Sequence, residues 1–199
     1  MRDALNTKNK IEKVPALNIN DWEEFKIDNL FNLYNGRGIT QEEINDNQGT
    51  LNAVQSGEEN NGILGYINLN YIKEMNYTYS LIPCLTVART GSAGYVSFQS
   101  NGCVVGDSAK ILILKKNNIL SEYYLFIQAI MNKLRYKYSY GRKVTEDKYL
   151  NEIIKLPIQR DKSHKPIIDE TKKYSDKGYI PDWNFMESYI NSLPYGDKI

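Results

Sequence analysis

The chain has 199 residues, 41% of them hydrophobic, which suffices for one substantial core without disulfide or metal staples. Its 25 Lys and Arg against 24 Asp and Glu leave a net charge of +1, so a polyanionic partner has to be met by local clusters of cations and not by an overall basic field. No apolar run reaches membrane-spanning length and the opening MRDALNTKNKIEKV is too polar for a signal segment, so we expect a soluble, cytoplasmic protein without membrane contact. Cys84 and Cys103 lie in apolar runs with no His or Cys at metal-ligand spacing, and read as reduced, buried thiols.

Residues 1–20 are polar and weakly patterned, a loosely ordered lead-in. Trp22, Phe25 and Ile27 then read as a short strand, and Asp28 as the cap of a brief helix carrying Leu30, Phe31 and Leu33, stopped by Asn35-Gly36. Arg37 follows between glycines, where it could approach a phosphate or be a solvated turn residue. Leu51 to Gln55 is a strand candidate, and SGEENNGILGY after it is a turn-rich connection. The amides of Asn60 and Asn61 can bond adenine edges, and they form turns equally well.

The run LIPCLTVAR, Leu81 to Arg89, is the strongest buried strand; Gly91 and Gly94 turn it into a hairpin whose second arm alternates Tyr95, Ser97 and Gln99 with Val96 and Phe98. Cys103 to Val105 and Ala109 to Leu114 read as a further strand pair across Gly106-Asp107. Four to seven short strands are thus expected before residue 121. At Ser121 a helix begins, with Tyr123, Ile127, Ile130 and Leu134 recurring on one face.

That helix delivers a cationic, aromatic segment. From Lys133 to Lys148, the residues Lys133, Arg135, Lys137, Arg142, Lys143 and Lys148 interleave with Tyr136, Tyr138 and Tyr140, opposed by Glu146 and Asp147 alone. Such a set suits phosphates and unstacked bases; cations at a helix end also complement its dipole, and tyrosines also fill half-buried surface. Thr145 can cap a short helix to Leu150, IIKLPI reads as a last strand, and residues 159–180 as a charged surface connection. Pro181 then opens a short amphipathic helix with Trp183, Met186, Tyr189, Ile190 and Leu193. The fold class expected is α+β: a mixed, mostly antiparallel sheet with packed helices and a short C-terminal helix.

Catalytic signatures are sparse. Neither GxxxxGK[ST] nor GxGxxG occurs, nor the Asn/Asp-Pro-Pro-Tyr motif of adenine methyltransferases, and His164, the one histidine, sits in a charged turn. Glu152 and Lys155 with Asp147 upstream form a weak nuclease-like set, spaced one residue wider than the usual carboxylate–lysine pair, and read better as a solvated face. We therefore expect no catalysis, no cofactor and no metal.

Taken in order, WEEFKIDNLFNLYNG, NNGILGY, TVARTGSAGYVSFQ and YSYGRKVTEDKYLNEIIKLPI resemble the target-recognition domain of Type I restriction-modification specificity subunits and of related Type II specificity subunits, and PDWNFMESYI resembles the tail of the Type II group. The resemblance implies a recognition domain over 21–158 and, over 159–199, a connection and helix for partner docking. It implies a non-catalytic specificity subunit that binds a half of a bipartite site in double-stranded DNA and brings an adenine methyltransferase, and in some systems a nuclease, to it. Lys137, Arg142 and Lys143 would then contact phosphates, while Asn60, Asn61, Arg89, Ser92 and Tyr140 would lie near the bases. The long helices that separate two recognition domains in classical members have no counterpart here, nor does the Glu-Gln pair that commonly opens them. A homodimer with a two-fold site and a module on a separate partner both stay open. A small metal-dependent endonuclease using Asp147, Glu152 and Lys155, and a protein-binding mimic or inhibitor of such a system, are the alternatives.

Overall fold

The computed structural model describes residues 17–194. Most of the expected lead-in lies outside that range, and its described end is a 3-10 turn at Ile19–Asp21. Strand β1 (Glu23–Lys26) follows, with Phe25 buried, and then a single helical turn, α1 (Ile27–Leu30), and strand β2 (Phe31–Asn35). Here the expected helix is wrong. Asp28 sits inside the turn and does not cap it, and Phe31 and Leu33 alternate along a strand because β2 finds a long-range partner, the strand over residues 109–114. Tertiary pairing thus overrides a helix-like spacing of three apolar residues.

Two helices and a strand went unread in the next stretch. Helix α2 (Gln41–Asp46) opens with a capping box: the Thr40 hydroxyl accepts from the Glu43 amide and the Glu43 carboxylate accepts from the Thr40 amide. Strand β3 (Gln48–Val54) leads to β4 (Ile63–Ile67), where only a connection was expected, and Asn68 caps α3 (Leu69–Glu74). The Glu43 carboxylate also accepts from the Tyr77 hydroxyl at 2.6 Å and the Tyr71 hydroxyl at 2.7 Å. Those bonds, with the one from Thr40, hold its pKa down to about 2, while Tyr77 is pushed up to about 12. A depressed carboxyl contributes stability that is present above its unfolded pKa and lost as the pH falls through the folded one. Glu43→Gln should therefore lower stability at neutral pH and flatten its fall between about pH 4.5 and 2; an unchanged acid-unfolding curve would deny Glu43 this role.

The chain continues through β5 (Tyr79–Ser80), β6 (Cys84–Ala88), β7 (Val96–Gln99), β8 (Cys103–Val105) and β9 (Ala109–Leu114). The expected hairpin is present as β6 against β7, although Leu81 and Ile82 stay exposed outside it. Its second arm is covered on both faces: Ser97 and Gln99 are buried, and both donate to the Asn61 carbonyl. The expected pairing of β8 with β9 does not occur. They enter different sheets, ordered β4-β3-β8-β5 and β2-β9-β6-β7, with β3 and β8 the one parallel pair among them. The antiparallel α+β class holds, but with two four-stranded sheets and nine strands among the described residues before 121.

The two sheets pack face to face. Cys84, Ala109 and Ile111 meet Val54, Cys103 and Val105 between them, and the two thiols lie with Sγ atoms 3.8 Å apart. The outer face of the β3 sheet is covered by Ile44 of α2 and Ile72 of α3. Leu85, Val87, Leu112 and Leu114 form the outer face of the β6 sheet, and the largest cluster is built on them.

Helix α4 (Ser121–Met131) covers that outer face and buries more than the single predicted stripe: Tyr123, Tyr124, Phe126, Ile127 and Met131 are all enclosed. A short α5 (Glu146–Leu150) and strand β10 (Ile153–Leu156), which pairs antiparallel with β1, close the core on one side. Helix α6 (Trp183–Asn191) closes it on the other, laying Trp183 on Tyr123 and both Phe185 and Tyr189 on Phe126. Its cap is Asp182, which accepts from the Phe185 amide; Pro181 precedes the cap instead of opening the helix, because it bridges to Ile158. Among the described residues, no helix is long and apolar enough to cross a membrane.

Among the described residues, one buried side-chain group is unsatisfied. Tyr149 of α5 is fully enclosed and its hydroxyl has no hydrogen-bond partner. Because a buried, unpaired hydroxyl costs about 1–3 kcal/mol, Tyr149→Phe is expected to raise stability by about 1 kcal/mol. A lower midpoint in urea for the variant would show that the hydroxyl is paired in solution.

Candidate nucleic-acid interface

Helix α4 does not stop at Met131 but tightens into a 3-10 stretch, Asn132–Lys137. The Asn132 side chain fixes this stretch to the sheet, accepting from the Val96 amide and donating to the Val96 carbonyl. Arg135 next forms a two-pronged ion pair with Glu58 and lies over the Tyr95 ring. The bond from Arg135, and a second from Ser92, hold the Glu58 carboxyl below its usual range. Arg135 is therefore a clamp between the 3-10 stretch and the loop that carries Asn60 and Asn61.

Tyr138 turns inward. Its hydroxyl donates to Glu152 at 2.9 Å, and burial with that bond pushes its pKa up. Lys137 pairs with the same carboxylate. Gly94 is required opposite: its φ is +82° and an added Cβ would come within 3.0 Å of the Tyr138 ring.

Beyond Tyr138 the chain makes a minimal hairpin. Ser139 and Arg142 exchange backbone bonds of 3.2 and 3.0 Å around Tyr140-Gly141. Tyr140 is 81% exposed, and Arg142 and Lys143 are exposed beside it with no ion pair among the described residues. The Val144 amide donates to the Arg89 carbonyl, and that bond anchors the hairpin to the end of β6.

Hydrogen bonds join most of the residues singled out from the sequence into one rim. The Ser92 amide donates to Ser56, and the Asn61 carbonyl receives Ser97 and Gln99. Asn60 and Asn61 are exposed in the left-handed region, at φ of 49° and 54°, so the turn role and the accessible amides coexist. Arg89 donates through its amide to Ser108 and through Nη1 to the Asp107 carbonyl. Lys137 differs from the rest, since Glu152 already engages it; Arg37 likewise donates to the Asn76 carbonyl. For the nuclease-like set, Glu152 is taken up by Lys137 and Tyr138, while Asp147 and Lys155 are exposed. Among the described residues, no group of three His, Cys, Asp or Glu is placed to hold a metal.

Several rim residues escaped sequence reasoning. Lys110 lies on β9 beneath Arg89 and is 5% exposed; burial and the Arg89 charge lower its pKa. The one signal was a charge inside the apolar run AKILIL. Asn35 and Glu146 join it in a small pocket also lined by Gly36, Asp107 and Thr145. Gly36 is fixed by space alone, since an added Cβ would overlap the Gly106 carbonyl.

The sequence profile described as Type I restriction modification DNA specificity domain matches residues 19–181. The chain belongs to that family. The specificity domain is 24% identical over 169 residues to the specificity subunit S.BcgI of a Type II restriction enzyme from Heyndrickxia coagulans, a match over 85% of this chain and 42% of the relative. Its fold resembles the S subunit of a Type I restriction-modification system from M. genitalium, at 18% identity and a TM-score of 0.52, over 71% of this chain and 36% of that one. The specificity domain thus spans less than half the length of each of these relatives.

Proposed function

We propose that the chain is a non-catalytic, sequence-specific subunit of a restriction-modification system that binds double-stranded DNA and directs an adenine methyltransferase to its site. The observation that carries this reading is the rim itself: in a member of the DNA specificity domain family, the exposed Tyr140-Arg142-Lys143 hairpin is tied through Arg89 to the loop bearing Ser92, and Ser92 in turn bonds Ser56 at the start of the loop bearing Asn60 and Asn61. Arg142 and Lys143 grip phosphates, and Lys137 adds a weaker contact through the donors that Glu152 leaves free. Arg89, Ser92, Asn60, Asn61 and Tyr140 lie near the bases. Residues 21–158 form the recognition unit and 159–199 the partner-docking part. Where a nuclease belongs to the system, it arrives with the methyltransferase.

Tagged protein recovered from its source cells should carry an adenine methyltransferase, identified by mass spectrometry. The complex should then retard duplex DNA in a salt-sensitive, sequence-selective way. Recovery of no modification or cleavage enzyme, with no salt-sensitive DNA affinity, would reject the reading.

A further inference from the structure

The pocket beneath the rim holds a group that the fold alone does not account for. Lys110 occupies a strand position between Ala109 and Ile111 and is 95% covered, yet it forms none of the three salt bridges among the described residues. Burying an ammonium without a direct ion pair is unfavourable, since its counter-charge Glu146 is reached only through Asn35, and an aliphatic residue would fill this strand position at no such penalty. Its hydrogen-bond partner is the Asn35 side-chain oxygen. The Asn35 amide nitrogen in turn donates to Glu146 Oε2 at 2.6 Å. Lys110 therefore orients Asn35, and Asn35 orients an exposed carboxylate whose second oxygen has no partner among the described residues.

Arg89 stands on the same rim. Its Nη1 donates weakly to the Asp107 carbonyl at 3.3 Å, and its other guanidinium donors meet no acceptor among the described residues. Arg89 and Glu146 thus line one pocket, a guanidinium and a carboxylate, with Asp107 lining it as well. The Glu146 carboxylate sets this pocket apart from the hairpin tip, where Arg142 and Lys143 form no ion pair among the described residues and suit a phosphate. A ligand with acceptors and a donor side by side fits instead. In the major groove a guanine offers O6 and N7 to an arginine, and the paired cytosine offers its N4 amino group to a carboxylate.

We propose that Arg89 and Glu146 read one guanine–cytosine pair of the recognised sequence, with Asn35 and Lys110 as positioning residues that hold the Glu146 carboxylate. This rests on the DNA-binding reading above and deepens it to a base identity.

The test is selection from a random-sequence duplex library by the full chain, together with any methyltransferase that co-purifies, followed by the same selection with Arg89→Ala, Glu146→Ala, Asn35→Ala and Lys110→Met. The wild type should enrich a motif containing a guanine–cytosine pair. Each variant should lose about tenfold in preference at that one position and keep the others. A merely structural role for Asn35 or Lys110 would lower the melting temperature or weaken all sequences without touching one position. Uniform weakening with the motif intact, or an unchanged motif, overturns the proposal and leaves the DNA-binding reading standing. Failure of the wild type to enrich any motif overturns that reading and the proposal with it.

Discussion

Phe126→Ala should destabilise the protein by about 3–5 kcal/mol, the usual range for deleting a buried aromatic ring. The ring is 4% exposed and meets Trp22 at 5.7 Å, Phe185 at 6.1 Å and Tyr189 at 5.6 Å between centroids. It therefore joins three separate segments: the entry to β1, helix α4 and helix α6. Because these partners belong to different elements, the cavity cannot close by one side chain relaxing. At about 2–4 °C per kcal/mol for a chain of this size, the melting temperature should fall by roughly 10 °C. Calorimetry of the variant measures this directly. A loss below about 1 kcal/mol would mean that α6 leaves α4 in solution, and its apolar face would then be free for a partner.

The second large effect is on DNA. Arg142→Ala with Lys143→Ala removes two exposed cations that have no carboxylate partner among the described residues, so folding should be untouched. Each phosphate neutralised contributes about 0.9 to the slope of log affinity against log salt, so the double variant should flatten that slope by about 1.8. Binding should weaken for all duplexes alike, because phosphate contacts carry no sequence information. Titrations at several salt concentrations decide it, and an unchanged slope would remove the hairpin from the interface. Lys137→Ala should flatten the slope less, since the ammonium it removes already pairs with Glu152.

Local patterns in the sequence carried a good part of the fold. The spacing of Tyr123, Ile127 and Ile130 marked α4, the β-rich run around Cys84 marked β6, and the glycines at 91 and 94 marked the hairpin. Helix α2 was also legible, since Thr40 and Glu43 stand at capping-box spacing. The site was legible as composition. Lys and Arg among tyrosines after a helix pointed to the segment that the structure turns into an exposed hairpin.

What the sequence determined by itself was therefore short-range: where strands, helix and turns fall, that the thiols are buried, and where cations cluster. These follow from side-chain periodicity and turn chemistry, which act over a few residues. Pairing across the chain was decided only by tertiary structure. Strands β8 and β9 are neighbours in sequence yet join different sheets, and β2 becomes a strand because β9 lies beside it. The same holds for charge. Arg135, Lys137 and Arg142 look alike in sequence, but packing brings Glu58 to the first and Glu152 to the second, and leaves the third free. The Lys110, Asn35 and Glu146 pocket is assembled from β9, β2 and α5, elements up to 111 residues apart, so no local pattern could announce it.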